Sequence, residues 1–306
     1  MRVVITGANS AVGLAILRCG PAQWATLTFV PAVRSDRAAE KIRRLLGGVN
    51  GLVHISYDDP GSLSTAFEGA SAVIHLAGVL VERPGSTYEQ AHVATTQSVV
   101  EAAKRSAVKK LVLVSAIGAS ETSSNRYWRT KGQAEALVRA SGLSYTVLRA
   151  PLLLGPGTEG AAALKRNANR SSVMLIGGGR TLQQPLYVDD LARAAIVAAA
   201  PSVANNRTLD VVGPVSLPER EIVERAARLL GRHVRVWSIP RRWASLALAI
   251  RQRTARPGLS LDALEVITAD TSLDPRPATN ELGIQLTGLD DMIEKSVGPV
   301  RRDKQA

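Results

Sequence analysis

Six short runs of apolar and β-branched residues recur through the first half of the chain, at 3–6, 27–30, 52–55, 72–76, 111–115 and 145–148. Each run is nearly continuous in hydrophobicity, the pattern of a strand covered on both faces by other elements. Between them lie stretches with helical spacing, at 12–18, 38–46, 88–106 and 127–140. This regular alternation leaves few alternatives to a doubly wound α/β fold, a parallel sheet with helices on both sides.

The rhythm changes after Arg149, where Pro151, Gly155-Pro156-Gly157 and Gly177-Gly178-Gly179 mark a loop-rich stretch. Alternating units then return, with a helix expected at 189–200, a strand at 208–212 and a helix at 218–230. From about Arg241 the chain reads as mainly helical. The expected division is a core of residues 1–150 and a smaller, mainly helical lobe of 151–306 that hands some elements back to the core.

At 306 residues the chain is long enough to bury such a core. A single cysteine, Cys19, excludes an internal disulfide framework, and four scattered histidines suggest no metal site. No apolar run reaches the roughly 18 to 20 residues of a membrane span. The opening Met1-Arg2-Val3-Val4-Ile5-Thr6 leaves no room for a signal peptide. The expectation is a soluble, cytoplasmic protein.

The first strand runs directly into Thr6-Gly7-Ala8-Asn9-Ser10-Ala11-Val12-Gly13 and an apolar helix. A glycine-rich turn in this place offers a pyrophosphate the free N–H groups and positive dipole end of a helix, as dinucleotide folds do. Gly7 allows the tight turn, and Gly13 lets the helix approach the sheet. Ser10 stands where a third glycine would complete the motif; its hydroxyl can still donate to a phosphate.

Acidic residues that bind the ribose hydroxyls of NAD lie about 20 residues beyond such glycines. Here the region reads Phe29-Val30-Pro31-Ala32-Val33-Arg34-Ser35-Asp36-Arg37, with no acid before Arg34. Arg34 and Arg37 suit a 2′-phosphate through charge-assisted hydrogen bonds; solvated arginines opening a helix are the plain alternative. The reading favours NADP over NAD. Pro31 is expected to disturb the strand register.

Tyr127 and Lys131, four residues apart, share one helix face. An ammonium beside a phenol favours the phenolate, which suits a tyrosine exchanging a proton with a carbonyl or alcohol oxygen.

In their order along the chain these features resemble the short-chain dehydrogenase/reductase superfamily, of the extended or atypical kind, with its Rossmann-like fold. The matching residues are Thr6-Gly7…Gly13, Ile74-His75-Leu76-Ala77-Gly78, Val99-Val100-Glu101-Ala102-Ala103-Lys104, Val114-Ser115 and Tyr127-x-x-x-Lys131. Leu148-Arg149-Ala150-Pro151, Pro185-Leu186-Tyr187-Val188-Asp189-Asp190, Val212-Gly213-Pro214 and Leu282-Gly283-Ile284 continue it. The details are most similar to the branch holding the nucleotide-binding accessory subunit of respiratory complex I and its bacterial relatives.

The resemblance implies a cofactor held by Gly7, Asn9, Ser10, Ala11, Val12, Gly13, Arg34, Ala77, Gly78 and Lys131. It also implies catalysis by Tyr127 with Lys131 and a serine. By strand spacing that serine falls nearer Ala116 than Ser115, so Ser115 or a bound water would supply the second hydrogen bond. The acid expected near the adenine falls at Ser56, and Asp58 or Asp59 would have to replace it. His75 is expected to line the sheet, and His92 and His54 to be structural or exposed.

The chain carries a formal charge of +12, and nine arginines with no acid lie from Arg225 to Leu261. Within that stretch Trp243, Leu246, Ala247 and Ile250 recur at helical spacing between Arg241, Arg242, Arg251 and Arg253. An anionic membrane surface or a membrane-complex partner fits this pattern; a solvated lobe fits it too. Nucleic acid is not expected, because no stacking platform accompanies the charge. Three functions remain: an NADP-dependent oxidoreductase of unidentified substrate, a non-catalytic assembly factor of a respiratory or quinone-biosynthesis complex, and an NAD-dependent epimerase or dehydratase.

Overall fold

A computed structural model describes residues 1–48, 51–252 and 259–298. The order opens with β1 (Arg2–Thr6), α1 (Ala11–Gln23), β2 (Thr28–Val33), α2 (Asp36–Leu46), β3 (Val53–His54), α3 (Pro60–Phe67) and β4 (Ala72–His75). A π-helical turn, Glu89–Ala94, runs into α4 (Thr95–Arg105), followed by β5 (Lys110–Ala116), α5 (Arg126–Arg139) and β6 (Ser144–Ala150). Then come β7 (Leu153–Leu154), α6 (Glu159–Ala168), β8 (Ser172–Ile176), β9 (Leu182–Gln183), β10 (Leu186–Tyr187), α7 (Val188–Ala198) and β11 (Arg207–Asp210). The remainder is β12 (Leu217–Pro218), α8 (Glu219–Leu229), β13 (Arg235–Ile239), α9 (Arg241–Gln252), α10 (Leu261–Ile267), α11 (Arg276–Leu282) and α12 (Leu289–Val297).

The chain divides into two compact units, one of Met1–Ala150, Asp189–Val211 and Arg276–Ile284, the other of Pro151–Val188, Val212–Pro275 and Gln285–Ala306. The first is built on a seven-stranded sheet in the order β11-β6-β5-β4-β1-β2-β3. Every pairing in it is parallel. This is the doubly wound, Rossmann-like architecture expected. Strand order reverses between β1 and β4, and ligands of such sheets bind in the crevice at the carboxyl ends of those strands.

Burial on both faces explains the continuous apolar runs: Val4, Val73, Leu111 and Val147 pack with Leu63, Phe67, Val99 and Val138 in one core. Each such side chain contributes about 1.5–3 kcal/mol by leaving water. Lys110 enters the opposite end of the sheet, where its ammonium donates to the carbonyl of Val203 and to Asn205 Oδ1.

Two local expectations differ from the structure. Pro31 leaves the register intact, from Arg2↔Thr28 through Thr6↔Ala32. It is tolerated because β3 pairs only with Ala32 and Val33, so the second ladder has not begun at residue 31. The helix expected at 88–106 is not uniform; its first part is the π-helical turn, which sets His92 in a wider coil than 3.6 residues per turn allows.

In the second unit, β8 and β13 form a parallel two-stranded ribbon, and β7–β10 and β9–β12 form two short pairs. Among the described residues, no helix is long and apolar enough to cross a membrane.

Candidate functional site

The glycine turn leaves β1 at the switch point and is closed by its own helix cap. Ser10 caps α1, its Oγ accepting the Gly13 N–H at 3.1 Å. Its hydroxyl hydrogen stays free to donate. Gly7 has φ +72°, and a Cβ there would stand 3.2 Å from the backbone of Leu76 and Ala77. A Cβ on Gly13 would stand 2.4 Å from the Ala8 carbonyl oxygen. Gly13 therefore lets α1 approach the turn itself, closer than the sheet contact its position suggests. Ala11 and Val12, at the start of α1, carry N–H groups without intrahelical acceptors.

One further cation reaches the turn. Lys41, on α2, donates from Nζ to the Asn9 carbonyl at 2.9 Å. Arg34, exposed at the end of β2, lies with its guanidinium 5.8 Å from the centre of the Tyr57 ring. Ser35 caps α2 and Asp59 caps α3, while Ser56 Oγ accepts from the Asp58 N–H. The Asp59 carboxylate thus serves as a helix cap.

At the floor of the crevice, Thr6 and His75 are register partners on β1 and β4, with Thr6 Oγ1 2.6 Å from His75 Nδ1. His75 is fully buried and its Nε2 has no hydrogen-bond partner. Burial, reinforced by the Lys131 charge, pulls its pKa down to about 3, so it is neutral.

Tyr127 and Lys131 sit in the first two turns of α5, which Asn125 caps by accepting from the Tyr127 and Trp128 N–H groups. The Tyr127 ring meets Tyr88 and His92 edge-on, at 5.5 and 5.3 Å between centres. His92 stacks on Tyr88, lies 2.9 Å from Thr130 Oγ1 through Nδ1, and has Nε2 3.2 Å from the Val79 nitrogen and 3.0 Å from its carbonyl oxygen. Burial and the Lys131 charge lower its pKa to about 2. His92 therefore belongs to the Tyr127 surroundings, a placement its sequence position does not reveal.

Lys131 is buried, its Nζ 3.4 Å from the Val114 carbonyl. A Cβ on Gly78 would stand 2.9 Å from that Nζ. Burial lowers the ammonium pKa to about 8, and Glu135 one turn further on partly opposes the shift. Tyr127 departs from expectation: burial, with Tyr88 beside it, pushes its phenol up rather than down. Desolvation outweighs the ammonium that the four-residue spacing brings to the same face. Ser115 Oγ is buried with no hydrogen-bond partner, and Ala116 follows it.

Helix α5 is locked to β6 by an ion pair. Arg149 donates to both oxygens of fully buried Glu135, from Nε at 2.8 Å and Nη2 at 2.6 Å, and Arg139 adds a third bond at 3.1 Å. Bidentate geometry fixes orientation as well as distance. Among the described residues, no group of three His, Cys, Asp or Glu side chains is placed to hold a metal ion.

A parallel sheet with this crevice and glycine turn defines a dinucleotide-binding protein. The chain belongs to the NAD(P)H-binding family, whose model matches residues 7–174. It is 26% identical over 261 residues to "NADH dehydrogenase [ubiquinone] 1 alpha subcomplex subunit 9, mitochondrial" of Arabidopsis thaliana, covering 78% of this chain and 63% of that protein. To the ceramide reductase of Caulobacter vibrioides it is 30% identical over 189 residues, covering 59% of this chain and 57% of that one. The chain thus spans under two thirds of the length of these two relatives. Among solved structures, MoeE5 in complex with UDP-glucose and NAD superposes with TM-score 0.72 at 23% identity, covering 97% of each chain. The UDP-glucuronic acid 4-epimerase of Bacillus cereus gives 0.75 at 17%, covering 97% and 98%. These likenesses bear out the fold and the resemblance to short-chain dehydrogenases and reductases.

Proposed function

We propose that the protein is an NADP(H)-dependent oxidoreductase acting on a carbonyl or alcohol. The observation that carries the reading is Lys131, buried one turn beyond Tyr127 and accommodated by the bare Cα of Gly78. The chain fits a dinucleotide, since the positive φ of Gly7 and the close packing of Gly13 on Ala8 hold a tight turn at the N-terminus of α1, where a pyrophosphate would lie. Gly7, Asn9, Ser10, Ala11, Val12 and Gly13 would hold the pyrophosphate, Ala77, Gly78 and Lys131 the nicotinamide half. Bound, the nicotinamide supplies or takes up a hydride.

Tyr127 then passes its phenolic proton to the substrate oxygen as negative charge develops there, and recovers it in the reverse direction. A donor aimed at developing charge stabilises the transition state more than the ground state. Lys131 supplies positive charge beside that donor. Arg34, the absence of an acid at the end of β2, and Lys41 at the turn support NADP over NAD.

A second reading, a nucleotide-binding assembly factor without turnover, is favoured by Ala116 and by Ser115 Oγ lacking any partner. Epimerase or dehydratase chemistry would use the same tyrosine. The test compares Tyr127→Phe with Gly13→Val. In an oxidoreductase, Tyr127→Phe lowers kcat by about 10²–10⁴-fold with nucleotide affinity nearly intact. If Tyr127→Phe is silent in every redox assay while Gly13→Val abolishes assembly with partners in cell extract, the assembly reading replaces the enzymatic one.

A further inference from the structure

The second unit carries an apolar face that its own residues leave uncovered. Val173 and Leu175 on β8 are buried, so the ribbon has one face in the core and one in solvent. The outward face of such a ribbon is ordinarily polar. Here it holds Met174, 65% exposed, paired across the ribbon with Trp237, 60% exposed. Pro240 follows β13 and leads directly into α9, where Trp243 and Leu246 are 57% and 49% exposed. Those two are three residues apart and share a helix face. Single exposed apolar residues are common; a cross-strand pair and a helix pair separated in the chain by little more than Pro240 concentrate four of them in one segment, as interaction sites do.

The frame of the patch is cationic. Arg232, Arg235, Arg241 and Arg242 of the same segment are exposed, and no acid occurs in residues 225–261. Arg241 and Arg242 open α9, the end of a helix where the dipole disfavours positive charge. Local helix stability does not account for their placement, whereas an external anionic surface does. Arg253 and Arg256, part of the same sequence pattern, lie outside the described residues.

We propose that this face docks on an anionic lipid surface, with Met174, Trp237, Trp243 and Leu246 at the headgroup–acyl boundary and the surrounding arginines on lipid phosphates. Tryptophan rings favour that boundary, and arginines beside it add electrostatic attraction. At 12 residues α9 is too short to span, so it lies in the plane. Charge complementarity selects lipid over a neutral partner. The extended mixture of indole and guanidinium groups, with no acid in residues 225–261, selects it over a second copy, which would set like charges together.

The test is flotation of the full chain with phosphatidylcholine vesicles, with and without phosphatidylglycerol. Binding should require phosphatidylglycerol and fall with salt, since roughly 0.15 M salt screens charges beyond about 8 Å. The triple variant Arg235→Gln, Arg241→Gln, Arg242→Gln should bind about a hundredfold more weakly, at about fivefold per charge. Trp237→Ser with Trp243→Ser should abolish the blue shift of tryptophan emission on anionic vesicles. Both variants should unfold at the parent temperature, because the replaced side chains are exposed. Any of these outcomes overturns the proposal: no flotation with phosphatidylglycerol at low salt, flotation indifferent to the tryptophan pair, or lipid-free self-association that shifts the emission equally. Binding to polyglutamate as tight as to vesicles would also overturn it, leaving only a generic charge effect.

Discussion

The Lys131 ammonium occupies the space that a side chain at residue 78 would need, 2.9 Å from where a Cβ would stand on Gly78. One glycine thereby sets where the charge of the Tyr127/Lys131 pair rests. Gly78→Ala should push the flexible end of Lys131 aside without disturbing the sheet. The expected result is a fall in turnover of about tenfold or more, on the scale of a misplaced catalytic contact, with the unfolding temperature nearly unchanged. Steady-state kinetics and a thermal melt on the same sample check it.

Cofactor choice is open to a two-residue experiment. Lys41 reaches the glycine turn from α2 and Arg34 follows β2 beside Tyr57; each would meet a 2′-phosphate as a charge-assisted partner. Calorimetry should find NADP(H) bound more tightly than NAD(H), and Arg34→Ala should narrow the gap by about tenfold, at about 1.4 kcal/mol. Lys41→Ala should narrow it further while also loosening Asn9. Equal affinities in the parent protein would remove the NADP assignment.

Acid should destabilise the protein through its two neutral histidines. His75 and His92 are held at about 3 and about 2, below the ordinary 6.5. As pH falls below 6.5 the unfolded chain takes up these protons and the folded chain does not. Stability present above that value is therefore lost toward pH 3, by up to about 1.4 kcal/mol per histidine per pH unit. Urea unfolding between about pH 6 and pH 5 should show this slope, and His92→Gln should cut it by about half.

Glu135 is the fixed point of α5. Glu135→Gln leaves Arg149 without its bidentate carboxylate, while Arg139 keeps Glu121, and should cost on the order of 3 kcal/mol, as breaking a buried pair does. It also removes the charge that props up the Lys131 pKa. Any limb of the kcat profile that reports Lys131 should move to lower pH. Denaturant unfolding and a pH–rate profile separate the two effects.

The parts legible in the sequence are those fixed by local chain geometry. Gly7 and Gly13 declare a turn because their spacing follows a strand and opens a helix, and Tyr127 and Lys131 share a face because four residues make about one turn. His92 was not legible, since the π-helical turn carries it around the helix by an amount no 3.6-residue periodicity describes. Lys41 on Asn9, and Arg149 on Glu135, are contacts across separate elements, and neither residue type nor spacing announces them. The ionisation of Tyr127 reversed for a related reason: the spacing identifies the ammonium, while the packing of the phenol against Tyr88 and His92 exists only once the chain has folded.

The edge strand β11 and helix α11 belong to the first unit although the chain reaches them only after residue 206 and residue 275. During synthesis, β6 must therefore wait with its outer row of N–H and C=O groups bare, the arrangement that invites strand addition by other chains. At roughly 5–20 residues per second that interval lasts several seconds after residue 150 has been made. Over the same interval Lys110 has yet to meet the acceptors at Val203 and Asn205. A ribosome stalled within this window would hold out a nascent chain complete in its glycine turn and its tyrosine–lysine pair yet open along one flank, a natural client for a chaperone.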